Sequence, residues 1–352
     1  MDRHAKALEI LHNGTVIPAI PLVLDRNRKF NEKGQRTLIR YYLDAGVGGL
    51  AVAVHTTQFE IRDPEIALFE PVLKVAAEEI TSYEQKTGKT IVRVAGVCGE
   101  SKQAVSEASL AKSLGFDAVL LSPGGLRHLT EQQLIDRTKD VAAVMPVIGF
   151  YLQTSVGGRR LSFDYWKAVC NIDNVVAVKS APFNRYQTLD LVRGCAFSER
   201  AGEVALYTGN DDNIVIDLLT KYKFVKDGKE ITVRFIGGLL GHWSIWTQNV
   251  VQMYEKLKAH RDDENIPAEL LTLAAEVTDC NGAFFDVANN FAGCIPGVHE
   301  VLRRQGLMEG TWCLNPREVL SPGQAEEIDR VYRLYPHLND DQFIKDNISK
   351  WR

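Results

Sequence analysis

Pro146-Val-Ile-Gly-Phe-Tyr151 is followed by Phe163-Asp-Tyr-Trp-Lys-Ala-Val-Cys170 and then by Asn174-Val-Val-Ala-Val-Lys179. Two short β-branched runs thus flank a helical stretch. The runs are continuously apolar instead of alternating, as strands buried on both faces are. Parallel neighbours of that kind need a crossover connection between them, and the middle stretch supplies a helix.

The same unit recurs on both sides. Apolar runs stand at Val16–Leu24, Gly49–Val54, Ile91–Ala95, Ala118–Leu121, Val147–Phe150, Val175–Val178, Val204–Tyr207 and Val233–Ile236. Helical stretches lie between them at Glu32–Ala45, Pro71–Lys86, Lys102–Leu114, Glu131–Val144, Phe163–Cys170 and Tyr186–Phe197. Thr130 and Gln133 have the spacing of a capping box. Ser101 is placed to cap the helix that follows it, and Gly46, Gly88 and Gly115 fall where helices end. Eight strand–helix units predict a (β/α)8 TIM barrel of ~250 residues. An open doubly wound sheet fits less well, because no G-x-G-x-x-G follows the first run. Asn213–Lys223 reads as helical and Lys226–Glu230 as a solvated loop or hairpin. A further helix is predicted to about Ala259, followed by Ala268–Val277, Ala283–Asn290, Gly297–Gln305 and Gly323–Leu334. The expected division is a barrel with a short N-terminal helix over 1–259 and a C-terminal helical extension over 260–352.

Composition narrows the function. In 352 residues, 41 Lys+Arg against 45 Asp+Glu leave a net charge of −4, which argues against nucleic acid or an anionic membrane as the main partner. No apolar run approaches the ~18–20 residues of a membrane span. The opening Met1–Ile10 reads as a charged short helix, not a leader, and the 6 cysteines show no C-x-x-C. Both features point to a reducing, cytoplasmic setting.

In such a barrel, reactive groups sit at the C-terminal ends of the strands. Lys179 ends the sixth run. If it points inward, desolvation lowers its pKa and frees an amine able to attack a ketone; if it lies just past the strand, it reaches water. Tyr151 ends the fifth run and offers a phenol for proton transfer, or an aromatic plug. Thr56 and Thr57 follow the second run and suit a carboxylate, or a turn. Thr208-Gly-Asn-Asp-Asp212 follows the seventh run; its adjacent carboxylates suit a metal, a helix cap or contacts with polar substrate groups, for which Asn210 and Asp211 are the candidates. Gly237-Gly238 and Gly241 give the eighth run a loop where backbone can approach a ligand. The histidines are dispersed, with no metal-ligand spacing, and no G-x-S-x-G appears. No metal and no organic cofactor is expected.

Taken together, these positions resemble the dihydrodipicolinate synthase/N-acetylneuraminate lyase family of Schiff-base-forming barrels. The resemblance runs from about Thr15 to Leu334, through Ile17-Pro-Ala-Ile-Pro-Leu22, His55-Thr-Thr57, Phe150-Tyr151, Val176-Ala-Val-Lys179, Gly209-Asn-Asp-Asp212, Ile295-Pro-Gly-Val298 and Arg304-Gln-Gly-Leu-Met308. It implies a class I lyase or aldolase acting on a 2-oxo acid such as pyruvate, with an aldehyde as second substrate. Lys179 would form the imine, Tyr151 would shuttle protons, and Thr56 and Thr57 would hold the carboxylate, with Asn210, Asp211 and Gly237 as substrate contacts. A homo-oligomer, commonly a tetramer, is implied as well. Two alternatives stay open: a dehydratase of a 2-oxo sugar acid using the same imine, and a non-catalytic member that binds a 2-oxo acid. The chain departs from the family pattern at His55, where glycine is usual, and after Tyr151, where Leu152-Gln-Thr replaces Asn-x-Pro. It also has no tyrosine between Ser122 and His128. Contact of His55, Arg127, His128, Arg159 or Arg160 with substrate is left open.

Overall fold

A computed structural model describes residues 2–352. Its strands in chain order are β1 (Val16–Pro18), β2 (Gly49–Val52), β3 (Val92–Val97), β4 (Ala118–Leu121), β5 (Val147–Leu152), β6 (Val175–Ala181), β7 (Ala205–Thr208), β8 (Tyr222–Lys226), β9 (Lys229–Val233) and β10 (Phe235–Leu240). Eight of them form one parallel sheet in the order β1-β10-β7-β6-β5-β4-β3-β2. The sheet closes where the Ile20 N–H donates to the Ala51 carbonyl at 2.9 Å, beside the Ala19–Ala51 bridge. Helices alternate with the strands, and the architecture is the (β/α)8 barrel that the apolar rhythm predicts.

Strand side chains divide between two apolar regions, as a period of two requires. Ile148, Phe150 and Leu152 of β5 point into the barrel with Ala177 and Ala181 of β6. Val147 and Tyr151 of β5 belong to the outer layer between strands and helices. The helix Arg3–Asn13 plugs the N-terminal end of the barrel: Ala7 and Leu11 join the inner cluster. Arg3 anchors it to Asp117 at 2.6 Å and to Glu84.

The hairpin of β8 and β9 stands where a loop or hairpin was predicted, turning at Asp227-Gly228. The eighth barrel strand runs later than its apolar run, over Phe235–Leu240, and takes in Gly237 and Gly238, which read as loop. Glycine is needed there by close approach, not by flexibility. A Cβ on Gly237 would lie 2.6 Å from the Thr15 carbonyl, and one on Gly238 would lie 2.5 Å from the Trp243 ring. Gly237 therefore packs low in the barrel wall and does not line the mouth.

Beyond the barrel, helices at Thr247–His260, Glu269–Phe284, Cys294–Arg304, Gln324–Leu334 and Asp341–Trp351 pack against its outer layer in one continuous apolar cluster. The stretch expected as a helix over Ala283–Asn290 is instead the end of one helix and a 3₁₀ turn, Val287–Asn289. The last helix, absent from the pattern reading, is pinned by Trp351. Its indole donates to Asp44 at 2.7 Å and its ring lies 5.5 Å from Tyr41.

Candidate active site

The C-terminal mouth of the barrel holds a cavity of about 70 Å³ with Lys179 in its wall. β6 places that lysine between Ala177 and Ala181, so its side chain points into the barrel, level with Phe150 on β5 and Tyr207 on β7. Its amine sits 4.5 Å above the centre of the Phe150 ring. Among the described residues no group hydrogen-bonds to it. Gly209 makes room for it, since a Cβ there would stand 2.4 Å from the lysine Cε. Burial disfavours the ammonium and brings its pKa down to about 8, against a partial opposing pull from Asp211.

Asp211 is the second charged group on the cavity wall. It is 7% exposed, accepts the His242 N–H at 3.0 Å, and its backbone carbonyl accepts the Asn281 amide. Burial raises its pKa to about 7, while the His242 N–H and Lys179 oppose the rise. Both members of this coupled pair are pushed toward their neutral forms, because a low-dielectric site penalises either charge.

His55 also lines the cavity, from the 3₁₀ turn His55–Thr57 that follows β2. Burial lowers its pKa to about 4 and the charge of Lys179 adds to the effect, so the imidazole is neutral. Neither ring nitrogen has a hydrogen-bond partner among the described residues. The same holds for the side-chain amide of Gln153, which faces the cavity just past β5.

The remaining sequence candidates separate. Thr56 reaches the cavity, but its hydroxyl donates to the Ala19 carbonyl at 2.7 Å. Thr57 does not line the cavity; its hydroxyl donates to Ile20 and accepts the Val54 N–H. Asn210 turns away to bond Asp217 at 2.9 Å, and its carbonyl oxygen holds the Phe183 N–H. Tyr151 lies on the far side of the strand. Its hydroxyl donates to the Leu161 carbonyl and accepts the Leu161 N–H at 3.1 Å, and its ring packs 5.2 Å from Trp166. The inward residue facing Lys179 is Phe150, which carries no phenol. Tyr207 points inward but spends its hydroxyl on the Leu11 carbonyl at the barrel floor. No tyrosine therefore lines the cavity. Arg127 bonds the carbonyls of Thr154 and Gly158, Arg159 that of Leu129, and His128 the carboxylate of Glu100. None of these three lines the cavity, and neither does Arg160.

The sequence pattern did not point to Phe285 and Phe291, from the connection between the helices Glu269–Phe284 and Cys294–Arg304, to Cys294, which opens the second of them, or to Phe183 from the loop after β6; all four line the wall. Phe183 and Phe291 pack edge to face at 5.8 Å, with backbone φ of 51° and 66°. The left-handed region costs a bulky residue ~1–3 kcal/mol, so the surrounding contacts must hold each one there. For Phe183 the bond from its N–H to Asn210 is one such contact.

The sequence matches the model of the dihydrodipicolinate synthetase family over residues 12–221. It is 22% identical to N-acetylneuraminate lyase 2 of Escherichia coli over 92% of this chain and 93% of that protein. To the 4-hydroxy-tetrahydrodipicolinate synthase of Lachnoclostridium phytofermentans it is 26% identical over 56% of this chain and 63% of that one. Among solved structures it superposes on the dihydrodipicolinate synthase of Oceanobacillus iheyensis with a TM-score of 0.73 at 15% identity, over 96% of this chain and all of that one. The pyruvate complex of N-acetylneuraminate lyase from Fusobacterium nucleatum gives 0.70 at 17% identity, over 92% and 98% of the two chains.

Proposed function

The chain belongs to the dihydrodipicolinate synthetase family, whose relatives here are named lyases and synthases, and on that premise we propose that it is a class I lyase or aldolase acting on a 2-oxo acid through Lys179. The observation that carries the reading is the buried, unbonded Lys179 amine in the mouth cavity, where Gly209 leaves room for it.

The neutral amine adds to the C2 carbonyl, and the resulting C2 hydroxyl takes a proton from Asp211 and leaves as water, giving a protonated imine. In the cleavage direction the C3–C4 bond breaks and its electron pair flows into the imine, giving an enamine. The C4 hydroxyl loses its proton and C4 leaves as an aldehyde. The enamine then takes a proton at C3, and water hydrolyses the imine, releasing the oxo acid and the amine. Asp211 takes the proton that the lysine ammonium must lose before attack. His55, neutral and free of other bonds, exchanges the substrate proton that a tyrosine was expected to handle, since Tyr151 faces the outer layer. Gln153 and Thr56 hold the carboxylate, Thr56 by turning its hydroxyl from the Ala19 carbonyl.

Exchange of the pyruvate methyl protons tests this without a second substrate, because the enamine must form and reprotonate at C3. In deuterated water, followed by NMR, the enzyme should deuterate pyruvate well above the buffer rate and Lys179→Arg should not, arginine being permanently protonated. Exchange at equal rates in both proteins would refute the reading.

A further inference from the structure

Beyond the amine, the wall of the Lys179 cavity is aromatic, and we infer that the aldehyde which the enamine takes up or releases is uncharged and apolar, with an aromatic or branched side chain. The inference rests on the imine reading above. Phe183 and Phe291 are half-buried rim residues, and with Phe150 and Phe285 they put four aromatic rings on the cavity wall. The first two hold backbone conformations that bulky residues avoid, and both line this cavity. An aromatic acceptor can join their edge-to-face arrangement, which aromatic groups favour.

The polar inventory points the same way. A carboxylate or phosphate on the aldehyde calls for a guanidinium or ammonium partner. Among the described residues Lys179 is the only Lys or Arg on the wall, and the imine occupies it. Arg127 and Arg159 are spent on backbone carbonyls, and Arg160, in the loop after β5, does not line the wall. Asp211, the carboxylic acid on the wall, supplies no cation for a second anion. A polyhydroxylated acceptor would need a partner for each buried hydroxyl, whereas His55 and Gln153 have their bonding capacity free for the oxo acid.

In the synthetic direction the enamine C3 attacks the aldehyde carbon, the carbonyl electron pair goes to oxygen, and that oxygen takes a proton. Hydrolysis of the imine with one water then releases a 4-hydroxy-2-oxo acid and regenerates the amine. No oxidant or reductant enters.

The test is a panel of aldehydes incubated with the full chain and pyruvate, with product quantified by mass spectrometry. Benzaldehyde and 2-methylpropanal represent the inferred class; glyceraldehyde and succinic semialdehyde represent polyhydroxylated and anionic acceptors. We expect kcat/KM for an apolar aldehyde to exceed that for either polar one by roughly tenfold or more, the scale on which pocket fit discriminates. Phe183→Asn keeps a residue that tolerates the left-handed backbone, and should cut the preference by roughly tenfold. Proton exchange on pyruvate, run beside the panel, separates two failures. Exchange with the polar aldehydes preferred, with no aldehyde turned over, or with the preference untouched in Phe183→Asn overturns the apolar class and leaves the imine standing. Absence of exchange overturns the imine and this inference with it.

Discussion

Lys179 is reactive because of what surrounds it at the scale of single atoms: a buried site, an aromatic face, no hydrogen-bond acceptor, and Asp211 in place of a strong counter-ion. The sign of its pH effect follows. Burial lowers the amine's pKa from 10.5 to about 8, so the nucleophilic fraction rises as pH climbs toward that value and levels off above it. The rate of enamine formation, read as proton exchange on pyruvate, is therefore expected to rise through the region of pH 8. A rise continuing to pH 10 would mean an ordinary exposed lysine. His55 and Tyr151 give a matched pair of expectations. His55→Gln should lower turnover by roughly 10²–10⁴-fold, as loss of a positioned acid–base group does, while imine formation survives. Tyr151→Phe should leave turnover within a few-fold and cost about 1 kcal/mol of stability, the worth of its buried bonds to Leu161. The reverse outcome, a large loss for Tyr151→Phe and none for His55→Gln, would show that the phenol reaches the substrate after all.

At the scale of elements, the decisive feature is the pairing of β5 with β6. It sets Phe150 beside Lys179 and Tyr151 beside Ser180, with an irregularity in register between Val147 and Ile148. Lys179 was legible in the sequence because it is the one charged residue in a continuous apolar run. The face of Tyr151 was not, because a fully buried strand shows no alternation of polar and apolar residues, and one residue of offset exchanges inward for outward. Gly237 misled for a related reason: glycine in a strand reads as a loop until the neighbour that requires it is known. Gly209 carries this scale's prediction. In Gly209→Ala the added methyl meets the lysine side chain, and displacement of the amine by about 1 Å should slow imine formation by roughly 10²-fold. Circular dichroism should show the fold retained; an unaltered rate would mean that the lysine takes another path into the cavity.

For the whole molecule, the repeated strand–helix rhythm was enough to predict the barrel, and the helical character of the C-terminal region was legible too. What these helices do was not, since contacts distant in sequence leave no local pattern. They bring Phe285, Phe291 and Cys294 to the mouth of a barrel that begins more than two hundred residues earlier. They are also fastened to its side: Trp351 is 1% exposed, its carbonyl accepts a bond from Arg40 at 2.9 Å, and its indole bonds Asp44. Trp351→Ala should cost about 3–5 kcal/mol, read as a lower denaturation midpoint in urea; a loss under 1 kcal/mol would mean that the last helix is dispensable. Every functional step proposed here depends on a covalent bond between Lys179 and a 2-oxo acid, and that bond can be captured. The protein is incubated with pyruvate, reduced with borohydride, digested and read by peptide mass spectrometry. A reduced pyruvyl adduct is expected on the peptide carrying Lys179, and none in Lys179→Arg. An unmodified Lys179, or an adduct at another lysine that persists in the variant, would contradict it.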